Sequence, residues 1–235
     1  MSVLEWTFLG RVGYRRALEL QYSHAARLRN GARPRLLLLE HPPTITLGRS
    51  ADPRHLRLPA TRLAERGIQV VRVLRGGDVT YHGPGQLIGY PLVDLAQARL
   101  SVPAWVQGCA QALVDELIER GVAAKWSDLH PGVWVGQQKI AAVGFHISRR
   151  ISTHGFALNL APDMSAYDAI VPCGLSDLGV TSLAQLGVAV PAMEDIAGTL
   201  AQRLADRLGW KLGQRLHPAT VLEEKVAFEN VPANG

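Results

Sequence analysis

The segment from Arg75 to Gln86, RGGDVTYHGPGQ, runs straight into the apolar stretch Leu87 to Val93, and together they constrain the fold more than any other part of the chain. Four glycines and a proline among twelve residues exclude a regular helix, because glycine loosens the backbone and proline removes a donor. The segment reads as a shaped loop hung between two strands. Gln69 to Leu74 leads into it, with Val70, Val71 and Val73 among polar residues, and Leu87 to Val93 leads out. Arg75, Asp78, Thr80, Tyr81, His82 and Gln86 crowd around its glycines. On the residues alone a polar hairpin connection stays open, but loops carried on rigid strands are where sites concentrate.

The remaining periodicities give a mixed architecture. Tyr14 to Asn30 has apolar residues at helical steps and stops at Gly31, with Arg15, Arg16, Arg27 and Arg29 on its solvated face. Leu36 to Leu39 suits a buried strand, and Thr44 to Leu47 resumes after His41-Pro42-Pro43. Val102 to Arg120 and Met193 to Leu208 are further amphipathic helices, and Cys109 inside the first reads as a small buried hydrophobe. Between them come four short strands: Ala123 to Trp126, Gly132 to Val135, Lys139 to Ile147 and His154 to Leu160. Strands in series flanked by helices predict an α+β fold, a two-layer α/β arrangement of a mixed sheet packed with helices. No internal repeat or linker divides the chain, so residues 1–216 are expected to form one catalytic domain and 217–235 a peripheral tail.

Composition narrows the function classes. With 235 residues, 47% hydrophobic and 19% charged, the chain can bury a sizeable core. A formal charge of +5 and a pI near 9.6 favour an acidic partner. The arginines are scattered and no aromatic-basic repeat occurs, so nucleic acid is not expected as that partner. Two cysteines without a CxxC pair argue against a zinc knuckle or a disulfide framework and fit a reducing cytosol. MSVLEWTFLG lacks the pattern of a signal peptide and no apolar run approaches ~20 residues, so a cytoplasmic protein without a membrane span is expected.

Two residues stand out as candidates for covalent chemistry. Cys173 lies between Pro172 and Gly174, just ahead of Ser176 and Asp177, where a turn near a helix start would expose the sulfur and favour thiolate. A structural role for it stays open. A thiol of ordinary pKa, about 8.5, is only ~3% ionised at pH 7, so a nucleophile needs a nearby cation. Lys139 heads a strongly apolar strand in GQQKIAAVG and is the strongest candidate, although an ordinary strand-end charge stays open. His82 and His154 are the next polar candidates, each also readable as a hydrogen-bonding loop residue. Eight histidines without HExxH spacing argue against a metal. GPGQLIG departs from GxGxxG and no GxxxxGK[ST] occurs, so no nucleotide cofactor is expected and the substrate must arrive already activated.

RGGDVTYHGPGQ, GQQKIAAVG, HGFALNL and PCG, in this order between Leu36 and Leu186, resemble one family: the octanoyl-[acyl-carrier-protein]:protein octanoyltransferases, also called lipoate-protein ligase B. The resemblance implies a fold like the catalytic domain of the biotin and lipoate ligases. It implies transfer of octanoyl or lipoyl from an acyl carrier protein thioester to a lysine of lipoyl domains, in 2-oxoacid dehydrogenases and the glycine-cleavage H protein. By motif, Cys173 is the acyl-thioester nucleophile and Lys139 the residue that lowers its pKa. Substrate contacts fall on Arg75, Gly76, Gly77, Asp78, Val79, Thr80, Tyr81 and His82, on Ala142, Val143 and Gly144, and on Gly155, Phe156 and Ala157. No cofactor and a monomer are expected. The competing readings are an ATP-dependent lipoate or biotin ligase on the same scaffold and an amidotransferase that moves the acyl group between two proteins. Thioester exchange followed by aminolysis runs downhill without ATP, which fits the missing P-loop.

Overall fold

The computed structural model of the chain describes residues 2–171 and 178–224. In chain order it runs β1 (Val3–Arg11), α1 (Tyr14–Arg29), β2 (Arg35–Glu40), β3 (Thr44–Leu47), α2 (Ala60–Glu65), β4 (Gln69–Arg72), β5 (Val79–His82), β6 (Gln86–Leu92) and α3 (Val102–Glu119). It continues with β7 (Lys125–Ser127), β8 (Gly132–Val135), β9 (Gln138–Ser148), β10 (Ile151–Asn159), β11 (Gly179–Val180), α4 (Met193–Arg207), β12 (Lys211–Arg215) and α5 (Pro218–Leu222).

The four consecutive leucines of β2 make it a central strand, since burial on both faces is the way such a run escapes water. Leu36 and Leu38 face a core shared with Trp105, Leu113 and Leu117 of α3 and Ile196, Leu200 and Leu204 of α4. Leu37 and Leu39 face Ala17, Leu20 and Leu28 of α1 on the other side. Each leucine fully buried in this way contributes about 1.5–3 kcal/mol before entropy is counted. The main sheet is mixed and runs β12-β1-β2-β6-β10-β9-β8-β7, with β11 paired parallel to the start of β9. The expected mixed sheet with helices packed on it is what the chain forms.

A second sheet, β4-β3-β5, stands beside the first with its own small core of Ile45, Leu63, Val79, Tyr81 and Tyr167. Its presence corrects the reading of Arg75 to Gln86 as one loop. Val79–His82 is a strand, paired antiparallel to β3, because its β-branched and aromatic residues alternate between the small core and the cavity side. The turns proper are 75–78 and 83–85, and the strands on either side of the segment, β4 and β6, belong to different sheets.

Besides β5, five elements had not been expected: β1, α2, β11, β12 and α5. β1 is framed by β12 and β2, both parallel to it. The last described residues are tied to the body: Val221 is buried, Arg16 donates to Leu222 O at 2.5 Å, and Glu224 bridges Arg27 and Arg35 at 2.7 Å each. Arg16 and Arg27 on α1 therefore have work beyond solvation. Cys109 is buried among the α3 core residues, as its place in the helix suggested.

Candidate active site

A cavity of about 610 Å3 is walled by the start of the small sheet's glycine-rich turn and by β9 and β10. Of the expected contact residues it brings together Arg75, Gly76, Gly77, Asp78, Val79, Thr80, His82, Ala142, Val143, Gly144, Gly155, Phe156 and Ala157, with Lys139 on the same wall. Tyr81 is not among the lining residues. Strand alternation turns it into the small core, where its ring meets Tyr167 edge-on at 5.5 Å. Cys173 lies outside the described residues.

The two sheets approach closely at one point. Gly76 N donates to Phe145 O at 2.9 Å, and a Cβ on Gly144 would sit 3.0 Å from Gly76 O. A side chain at Gly144 would push the glycine-rich turn off β9. Arg75, expected as a contact residue, is 8% exposed and clamps β3: Nε reaches Thr46 Oγ1 at 3.1 Å and Nη2 reaches Thr46 O at 2.7 Å. Asp78 accepts from Asp52 N at 3.2 Å and pairs with His55.

Lys139 is the second residue of β9 and only 6% exposed. Its Nζ donates to Pro131 O at 3.2 Å and lies 4.9 Å from the centre of the Trp134 ring, a cation–π distance. Trp134 is fixed in turn by its Nε1, which donates to His130 O at 2.9 Å. The lysine stem runs over Gly132, where a Cβ would lie 2.9 Å from Cε. The backbone beside Lys139 carries β11, with Thr181 N donating to Lys139 O at 2.9 Å.

Deeper in the cavity the polar groups are imidazoles and phenols. His82 Nδ1 donates to Gln86 Oε1 at 2.8 Å, and Gln86 Nε2 donates onward to Asn159 Oδ1 at 2.8 Å. Burial, reinforced by His41 and Arg75, pushes the His82 pKa down to about 3, so its ring is neutral. Burial and Arg75 hold His154 at about 3 as well, and burial holds His41 at about 4. The Tyr14 hydroxyl is pushed up to about 12 by burial. Tyr14, Tyr90, Trp126, His130 and Pro131 line the cavity without any motif in the sequence to mark them, because helix, strand and loop residues far apart in the chain reach it only through packing. Among the described residues no three His, Cys, Asp or Glu side chains are grouped to hold a metal, and no helix is long and apolar enough to cross a membrane.

Residues 13–205 match the family model of the lipoyl protein ligase A/B catalytic domain. An octanoyltransferase of Solibacter usitatus is 49% identical over 181 residues, covering 77% of this chain and 82% of the relative. An octanoyltransferase of Acidobacterium capsulatum is 40% identical over 242 residues, covering 94% and 97%. The bi-partite lipoate protein ligase of Thermoplasma acidophilum superposes with a TM-score of 0.70 at 17% identity over 94% of this chain and 91% of that one, which shows the shared fold. The chain thus belongs to the lipoyl protein ligase A/B catalytic-domain family and, within it, to the octanoyltransferases, an acyltransferase class.

Proposed function

We propose that this octanoyltransferase takes its acyl group from the thioester of acyl carrier protein and delivers it to a lysine amine of lipoyl domains through a thioester on Cys173. The observation that carries the reading is a cavity with Lys139 on its wall and small residues Ala142, Gly144, Gly155 and Ala157 along β9 and β10, which leave room for a hydrocarbon chain.

In the first step the Cys173 thiolate attacks the donor carbonyl, a new C–S bond forms, and the carrier thiolate leaves and is protonated. In the second the acceptor amine attacks the Cys173 thioester, the amide C–N bond forms, and the Cys173 thiolate departs. Lys139 as an ammonium stabilises the thiolate, and as a neutral amine it takes the proton from the attacking nitrogen. The Pro131 carbonyl and the Trp134 ring hold its Nζ in place for both tasks. The remaining contact residues, Arg75 to His82 with Ala142 to Gly144 and Gly155 to Ala157, bind the acyl and pantetheine portions. Lipoyl domains of 2-oxoacid dehydrogenases and the glycine-cleavage H protein are the proposed acceptors, and the solved archaeal ligase of this fold comes with its E2 lipoyl domain. The same reading makes the protein a cytoplasmic monomer that needs no cofactor.

Intact-protein mass spectrometry after mixing with octanoyl-acyl carrier protein tests the route. The wild type is expected to gain one octanoyl group that thiols remove and that a lipoyl domain discharges, and Cys173→Ser to gain no thiol-labile adduct. A thiol-labile adduct on Cys173→Ser removes the nucleophile assignment. Modification of the lipoyl domain only with ATP and free octanoate would move the protein to the ligase reading.

A further inference from the structure

Among the described residues four other than glycine have a positive φ, and three of them are arginines that meet at one place: Arg99 at 56°, Arg149 at 49° and Arg150 at 69°. The fourth, His154, turns its ring out of the strand's alternation toward Tyr14, with Nδ1 3.5 Å from that hydroxyl. Arg149 and Arg150 are the two central residues of the hairpin between β9 and β10, a turn whose positive φ at both positions favours Asn-Gly. Arg99 closes the turn that follows β6. Its N donates to Ala96 O at 3.1 Å and Leu100 N donates to Leu95 O at 3.0 Å, the paired bonds of a Schellman motif with Arg99 where glycine is usual. A side chain in this conformation carries strain, and strain kept at exposed positions points to a use for the side chain.

Arg150 joins the two turns. Its Nη2 donates to Leu100 O at 2.7 Å, and its carbonyl accepts from Leu95 N at 2.8 Å. Arg99 and Arg149 are left exposed, and neither has an ion-pair partner among the described residues. The carboxylate of these turns, Asp94, is engaged by the N–H groups of Ala96 and Gln97 at 2.8 and 3.1 Å. α3 begins just beyond Arg99 without an acidic residue in its first turn, so its positive end adds to the same field.

Position ties this patch to the cavity. Val143, Phe145 and Ile147 line it from β9, and Val102 and Val106 from α3, so it follows β9 as far as the hairpin. Ala142 and Gly144, which leave room for the hydrocarbon chain, alternate with them on the strand's other face. Lys139 Nζ, bonded to Pro131 O, is level with residue 143, because Gly132 pairs with Ala142. From Val143 to Ser148, the last residue of β9, is about 17 Å. The phosphopantetheine arm of a carrier protein has about fourteen bonds from serine oxygen to sulfur and spans ~17 Å at ~1.2 Å per bond. A carrier seated on the hairpin thus brings its thioester to Lys139.

We propose that Arg99 and Arg149, on turns held together by Arg150, are the docking surface for the acyl donor, an acidic carrier protein whose arm runs along Val143, Phe145 and Ile147 toward Lys139. The inference rests on the acyl-transfer reading above. The net charge of +5 draws an acidic partner in, and the patch decides where its arm enters.

The test replaces both arginines with a residue these turns favour, Arg99→Asn with Arg149→Asn. It compares octanoyl-acyl carrier protein with octanoyl-pantetheine, which has the arm's thiol end but no protein. For the carrier donor kcat/KM is expected to fall roughly tenfold and its decline with salt to flatten, while octanoyl-pantetheine is used as well as by the wild type. Tm should rise by about 2 °C as strain is relieved, which separates the loss from damage to the fold. Arg99→Lys with Arg149→Lys keeps both charges and should stay within about twofold of the wild type. An unchanged kcat/KM for octanoyl-acyl carrier protein overturns the docking surface, and so does an equal loss with both donors. A loss confined to the KM of the lipoyl domain overturns it as well and gives the patch to the acceptor. If the wild type cannot use octanoyl-acyl carrier protein at all, the transfer reading fails instead. The Kd of holo-acyl carrier protein, expected to be roughly tenfold weaker for the Asn variant, then still decides the docking surface.

Discussion

Gly132 shows how one missing side chain positions another. Its φ is 152°, and a Cβ there would lie 2.9 Å from both Ala141 O and Lys139 Cε. Gly132→Ala should therefore displace the lysine stem, and a displacement near 1 Å in a reacting group lowers kcat by about 100-fold. Steady-state transfer from octanoyl-acyl carrier protein is the measurement, with KM expected to change little. Lys139 itself was legible as a charge at the head of an apolar strand within a recognisable motif. The residues that hold it were not. Pro131 acts through its carbonyl, which every residue has, and Trp134 reads as one more strand aromatic until the fold brings it under Lys139 Nζ.

At the scale of elements, α3 and α4 are joined by a carboxylate buried between them. Glu116, with its side chain 2% exposed, accepts from Arg120 and from Arg203 of α4, each at 2.6 Å. Glu116→Ala removes two charge-assisted hydrogen bonds but leaves both arginines in reach of water and Arg203 paired with Glu119, so it should lose about 1–2 kcal/mol, read as a lower urea midpoint with an unchanged slope. Both helices were visible in the sequence because their apolar residues repeat at helical steps. The strand β5 was hidden for the opposite reason. Four residues between two glycine-containing turns look like loop, and only pairing with β3 supplies the hydrogen bonds that make them a strand. β1 and β12 were likewise missed, since what stabilises them is their parallel pairing across more than 200 residues.

For the molecule as a whole, burial of neutral imidazoles ties stability to pH. His41, His82 and His154 are held at about 4, 3 and 3, and His24 at about 4, against an unfolded value near 6.5. A depressed folded pKa means that the unfolded chain binds more protons between the two values, so stability is full above pH 6.5 and falls as pH drops toward 4. Each such histidine contributes up to about 1.4 kcal/mol per pH unit in that window. Calorimetric Tm is therefore expected to hold between pH 7 and 8 and to fall steeply between pH 6 and 4. His41→Gln should flatten that fall, and an unchanged profile would place the titration elsewhere. The amino-acid order alone determined the helices, the central strands, the family and the motif residues that reach the cavity, because these depend on local periodicity and on short spacings. Only the tertiary structure decided that the glycine-rich segment spans two sheets, that Tyr81 faces away, and that His154 turns its ring against its own strand toward Tyr14. Those outcomes depend on partners 29 to 140 residues distant, which no local pattern records.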